Sequence, residues 1–129
     1  MLLDIRSDSS VPIYEQIVSQ MIFSIASGAD VPGELVLSVR DLAFQLRVHP
    51  NTVARAYQEL ERDGILVARR GKGMEVTAEA PSICKAKRQD IVRNRIREAL
   101  REAVNSALQA EEVERLVKEE LHRVNGHRK

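Results

Sequence analysis

Ile13, Ile17, Met21 and Ile25 recur every fourth residue, with Tyr14, Val18 and Ile22 beside them. That spacing predicts an amphipathic helix with one buried face. Pro12 suits its first turn and Gly28 its C-terminal cap. Pro32-Gly33 then marks a turn, and "ELVL" reads as a short strand. In "SVRDLAFQL" the apolar positions Val39, Leu42, Ala43 and Leu46 return to helical spacing. Ser38 and Asp41 match a helix-start pattern in which hydroxyl and carboxylate satisfy free backbone N–H groups. After the short break "RVH", Pro50 restarts a helix that runs to about Arg62 or Asp63, with Val53, Tyr57 and Leu60 inward and Gly64 closing it. Two short helices so tightly joined predict a helix-turn-helix. "ILVAR" and "MEVT" follow as two strand-like runs around "RGKG", where Gly71 and Gly73 permit a hairpin turn. A hairpin directly after a helix-turn-helix is the layout of a winged helix.

"AEAPSICKAKRQ", with Pro81, reads as a boundary, dividing residues 1–80 from a helical segment, 81–129. Ile91, Ile96, Leu100, Ala103, Val104, Ala107 and Leu108 form one apolar seam, and Val113, Leu116, Val117, Leu121 and Val124 a second. One helix from 88 to 124 is long for a globular domain, so a break is expected near Ser106 to Ala110. Two such helices bury little alone. Their apolar faces need the N-terminal domain or a second copy of the chain. The fold expected is mainly α with a small β-hairpin.

Composition narrows the class. Of 129 residues, 43% are hydrophobic and 30% charged, as in a soluble folded chain. No apolar run suggests a membrane span, and the first residues lack the pattern of a signal peptide. The single cysteine, Cys84, forms no internal disulfide, which fits the cytoplasm; it reads as an inert thiol near a linker. Net charge is only +1, but its distribution is uneven. Seven basic and four acidic residues lie between Arg40 and Gly73, and seven basic and two acidic between Lys85 and Arg101. Such clustering creates a local attractive field without a high isoelectric point.

Catalytic chemistry finds no motif. Glu111 and Glu112 are adjacent and point about 100° apart on a helix, so they do not converge. His122 and His127 lie in a polar tail, and "GKG" lacks the spacing of a phosphate-binding loop. An enzyme, a metal site or a cofactor is therefore not expected. DNA is better served. With Val53, Tyr57 and Leu60 inward, His49, Asn51, Thr52 and Arg55 remain at the N-terminal end and outer face of the second helix. A recognition helix meets base edges with its first turn. Asn pairs with adenine, Thr bonds a base or touches a thymine methyl, and Arg reaches guanine or phosphate. The alternative is that Asn51 and Thr52 are caps and Arg55 a solvated charge. Arg40 opens the preceding helix, where the helix dipole disfavours a cation. Either Asp41 or Glu34 faces it, or an anionic partner does. Arg69, Arg70, Gly71, Lys72 and Gly73 form a basic tip suited to the DNA backbone or minor groove.

Residues 12 to 76 resemble the N-terminal winged helix-turn-helix of the GntR family of bacterial transcription regulators. "PIYEQI", "PGELVLSVRDLA", "NTVARAYQELERDGIL" and "GKG" occur in the expected order. "PNTVARAYQELE" with a short two-helix tail is similar to the YtrA subfamily. The resemblance implies a homodimer on a near-palindromic operator, usually as a repressor. It implies that Arg40 reads a base, that His49, Asn51 and Thr52 lie at recognition-helix contacts, and that Gly71 marks the wing tip. It implies dimerisation through the tail, where Ile96, Leu100, Val104, Leu108, Val113, Leu116, Val117 and Leu121 supply the apolar faces. A small-molecule effector is compatible with it and unidentified. Five positions depart from the pattern. Leu37 replaces a proline. Arg47 replaces a turn glycine, implying strain or a different turn. His49 replaces a small polar cap, implying a weaker helix start. Met74 and Glu75 replace a threonine and an aromatic residue after the wing glycine. A winged-helix adaptor that binds protein rather than DNA is the competing expectation.

Overall fold

The computed structural model describes residues 3–126. His127 lies outside them. Five helices and one hairpin follow in chain order: α1 (Ile13–Ala26), α2 (Val39–Leu46), α3 (Pro50–Arg62), β1 (Leu66–Arg69), β2 (Gly73–Val76), α4 (Ala80–Asn105) and α5 (Ala110–Gly126). The chain divides into two compact units, one reaching to Ile91 and one starting at Val92.

In the first unit α1 and α2 both pack against α3, and β1 follows directly from it. Ile17, Met21, Leu42, Val53, Leu60, Ile65, Leu66 and Val76 are fully buried together. These are the apolar positions that the helical and strand spacing selects, so burial of aliphatic surface holds the unit. Tyr57 adds a polar tie: its hydroxyl donates to the Leu37 carbonyl at 2.6 Å. Burial pushes its phenol well above the ordinary range, so it stays a donor. β1 and β2 pair antiparallel, Leu66 opposite Val76 and Arg69 opposite Gly73. The strand expected at "ELVL" is reduced to a single bridge, Leu35 opposite Glu75. Backbone bonds from Val36 N to Met74 O and from Val76 N to Glu34 O, both 2.9 Å, fix it on the hairpin's free edge.

Ahead of α1 the chain is pinned by side-chain amides. Gln20 Oε1 accepts from Asp4 N at 2.7 Å, and its Nε2 donates to Asp4 O at 2.7 Å. Gln16 repeats the pattern on Arg6, at 2.8 and 2.9 Å, and donates also to Val11 O at 2.9 Å. Two glutamines one helical turn apart thus grip alternate residues of an extended arm, while Leu3 and Ile5 pack against the core.

Residues 80–89, read from the sequence as part of a boundary, are helical. Pro81 sits in the first turn of α4, where its missing N–H costs nothing. Ala80 and Cys84 are fully buried in the core of the first unit. Cys84 is thus a packing residue rather than a linker thiol, and burial pushes it up to about 11 against a small lowering by Lys87. Lys87 also pairs with Asp63 at 3.2 Å.

The second unit consists of the remainder of α4, a break at residues 106–109 and α5. The break falls where the sequence places it. Ala107 turns there with φ of 64°. No residue of α5 is buried.

Candidate nucleic-acid interface

Ser38 caps α2, its Oγ accepting from Asp41 N at 3.1 Å. Arg40 follows in the first turn and is exposed. Among the described residues neither Asp41 nor Glu34 forms an ion pair with it, so its guanidinium is open to an outside anion. α2 ends at Arg47 in the left-handed region, φ 58° and ψ 46°. The glycine-like turn is therefore kept, at the cost of strain in a non-glycine residue. Phe44, one turn beyond Arg40, is 85% exposed, and the apolar pattern gave no hint of it.

His49 settles into the cap of α3. Its Nδ1 accepts from Asn51 N at 3.0 Å, which puts the ring proton on Nε2 and leaves that donor outward. The helix start is thus capped by an aromatic side chain instead of a small polar one. Asn51 is exposed, and among the described residues its side-chain amide makes no hydrogen bond. Thr52 is half-buried. Arg55, one turn after Asn51 on the same exposed face, lies over the Tyr14 ring with its Cζ 3.8 Å from the centroid. Sequence periodicity assigned Tyr14 to the buried face of α1 and missed this partnership.

The hairpin tip is also more differentiated than its composition. Gly71 and Gly73 take φ of 75° and 118°, as a tight turn requires. Lys72 N closes the turn on Arg69 O at 2.9 Å. Arg69 Nε donates to Glu75 Oε2 at 3.0 Å across the strands. Glu75 therefore neutralises Arg69, while Arg70 and Lys72 form no ion pair with a described residue. The structure thus sorts the ten expected DNA residues. Arg40, Asn51, Arg70 and Lys72 are exposed with unspent donors. Gly71 and Gly73 shape the wing. Thr52 is half-buried, Arg69 is paired, His49 caps α3, and Arg55 is stacked on Tyr14 with its N–H donors unspent.

Within the second unit, α4 and α5 line an apolar groove of about 450 Å³ that includes Ile96, Leu100, Val113, Leu116, Val117 and Leu121. Ile96, Leu116, Val117 and Leu121 are between 41% and 59% exposed and Leu100 is 38% exposed; Val104, expected with them, does not line the groove and is 66% exposed. Leu108 and Val113 are half-buried. Among the described residues no helix is long and apolar enough to cross a membrane.

Comparison with known proteins agrees with this geometry. Residues 13–76 match the model of the bacterial regulatory proteins of the gntR family. The chain is 33% identical over 128 residues to the HTH-type transcriptional repressor YtrA of Bacillus subtilis, covering 99% of this chain and 98% of that one. It is similar to a solved GntR family transcriptional regulator from Listeria monocytogenes, with TM-score 0.70 and 33% identity over 87% of this chain and 97% of that one. It is similar also to YtrA from Sulfolobus acidocaldarius, a GntR-family transcription factor, with TM-score 0.59 and 33% identity over 78% of this chain and 98% of that one. A helix-turn-helix with a β-hairpin wing, followed by a helical tail, accords with these likenesses: the chain belongs to the GntR family of bacterial transcription regulators.

Proposed function

We propose that this regulator is a homodimeric repressor that binds a near-palindromic operator in the cytoplasm. The observation that carries the reading is the set of unpaired donors at Arg40, Asn51, Arg70 and Lys72 on one helix-turn-helix and its wing. Arg40 and Asn51 are assigned to base edges, Thr52 to a base or sugar contact at its exposed side, and Arg70 and Lys72 to the backbone. The His49 Nε2–H and the N-terminus of α3 favour a phosphate. Residues 1–80 supply these contacts. From Ile96 onward the tail supplies dimerisation, because a largely uncovered apolar groove on a small helical unit is stabilised by a second copy. Repression follows from the likeness to YtrA of Bacillus subtilis, a repressor by name.

The test is selection of duplexes from random DNA, followed by binding and sedimentation measurements. The expected Kd for the selected palindrome is on the order of 10⁻⁸ to 10⁻¹¹ M at physiological salt, weakening steeply as salt rises. Arg40→Ala costs about 1–3 kcal/mol at one base position, and Leu116→Glu with Leu121→Glu yields monomers. Binding no tighter than to random duplex sinks the reading. A stable monomer both alone and on DNA favours a protein-binding adaptor instead.

A further inference from the structure

Arg55 is held in an unusual way for a surface arginine. Its Cζ lies 3.8 Å from the centroid of the Tyr14 ring, across from α3 to α1. Contact through the guanidinium face uses none of its five N–H donors. Among the described residues no carboxylate pairs with Arg55 and no acceptor receives a hydrogen bond from it. Tyr14 is itself anchored, its hydroxyl donating to Glu15 Oε1 at 3.2 Å, which also occupies the nearest acidic group of α1. Arg55 stands one helical turn after Asn51 on the same exposed face of α3. A planar, pre-ordered and unspent fork beside a base-reading position matches the geometry of a phosphate, which accepts two parallel N–H bonds.

We propose that Tyr14 is a positioning residue for DNA binding: its ring holds the Arg55 guanidinium ready as a phosphate clamp flanking Asn51. This rests on the DNA-binding reading above and extends it to α1. Arg55 then contributes charge and register, not base identity. Tyr14 contributes by ordering a long side chain before the encounter, so that less rotamer freedom is lost on binding.

The experiment measures affinity for the selected palindrome and for random duplex across a salt series. It compares wild type, Tyr14→Phe, Tyr14→Leu, Arg55→Ala and the Tyr14→Leu/Arg55→Ala double variant. Arg55→Ala is expected to flatten the slope of log K against log salt by about 0.9, the loss of one phosphate contact, on both duplexes. Tyr14→Leu is expected to weaken binding about three- to tenfold in the wild-type background. In the Arg55→Ala background it is expected to change binding by less than about twofold, because the group it orders is gone. Tyr14→Phe keeps the ring and is expected to bind as wild type does. Thermal melts accompany each variant, so that lost folding is not read as lost binding. If Tyr14→Leu does not fold, Arg55→Ala and Arg55→Lys decide: the lysine, a charge without the planar fork, should keep the slope and still bind more weakly. An unchanged slope for Arg55→Ala, or equal losses from Tyr14→Leu in both backgrounds, overturns the proposal. Wild type failing to prefer the palindrome overturns the operator reading instead, while the slope on random duplex still reports on the clamp.

Discussion

Arg47 closes α2 with φ of 58° and ψ of 46°, a conformation that crowds the Cβ of any L residue. Left-handed backbone costs a non-glycine residue about 1–2 kcal/mol. Glycine removes that cost but loses about 0.5–1 kcal/mol more chain entropy on folding. With both terms at mid-range the net gain expected from a glycine is about 0.75 kcal/mol. Arg47→Gly alone confounds this with loss of a cation at a helix C-terminus, worth about 0.3–1 kcal/mol. Arg47→Ala provides the reference, since it loses the same charge and keeps the same crowded Cβ. Urea unfolding of the two variants at equal concentration should therefore place Arg47→Gly above Arg47→Ala by about 0.5–1 kcal/mol with equal m values. Their thermal midpoints should differ by roughly 2–8 °C, the shift such an increment makes in a unit of this size. Arg47→Ala equal to or more stable than Arg47→Gly would refute the strain argument. The Arg47→Gly variant should also fold with the turn unchanged, because the wild-type backbone already adopts the conformation that glycine favours.

Three further outcomes follow from named contacts. Burial raises Cys84 to about 11, so folded and unfolded chains are both protonated below the ordinary thiol range and the group contributes no pH dependence there. As pH rises from about 9 to about 11 the unfolded thiol ionises while the folded one does not, so wild type should lose on the order of 2–3 kcal/mol relative to Cys84→Ala across that window; parallel curves for the two proteins would contradict the burial argument. His49→Ala removes the acceptor for Asn51 N and should cost about 0.5–2 kcal/mol in chemical unfolding, whereas His49→Asn should restore most of it. Gln16→Ala removes three hydrogen bonds from the arm and should cost about 1–3 kcal/mol, with faster tryptic cleavage after Arg6 as its local sign; unchanged cleavage would mean the arm is held by other means.

Helical spacing exposes the inward residues of α1, α2 and α3 because burial acts on position along one element. Ile17, Leu42, Val53 and Leu60 are legible for that reason. Gly71 and Gly73 reveal the wing because a tight turn restricts residue type. What is illegible depends on partners chosen across the fold. Arg69 and Glu75 lie on different strands, and their pairing subtracts from a tip that composition makes uniformly basic. Arg55 and Tyr14 are 41 positions apart, and no periodicity links them. Pro81 misleads in the other direction: proline breaks a helix interior but suits a first turn, and only the burial of Ala80 and Cys84 shows which applies. At His49 the departure from a small polar cap predicts a weak helix start, yet an imidazole nitrogen accepts the same backbone bond.

The glutamine grip on the N-terminal arm recognises peptide groups and not side chains. Gln16 and Gln20 bond only to backbone atoms at positions 4, 6 and 11. Those three positions are therefore free to vary among descendants of this sequence without loosening the arm, provided each keeps the backbone atoms it lends. Constraint falls instead on the two amides and on the apolar character of Leu3 and Ile5. Drift in this lineage should therefore leave an alternating record: permissive letters facing water, and conservative ones facing the core.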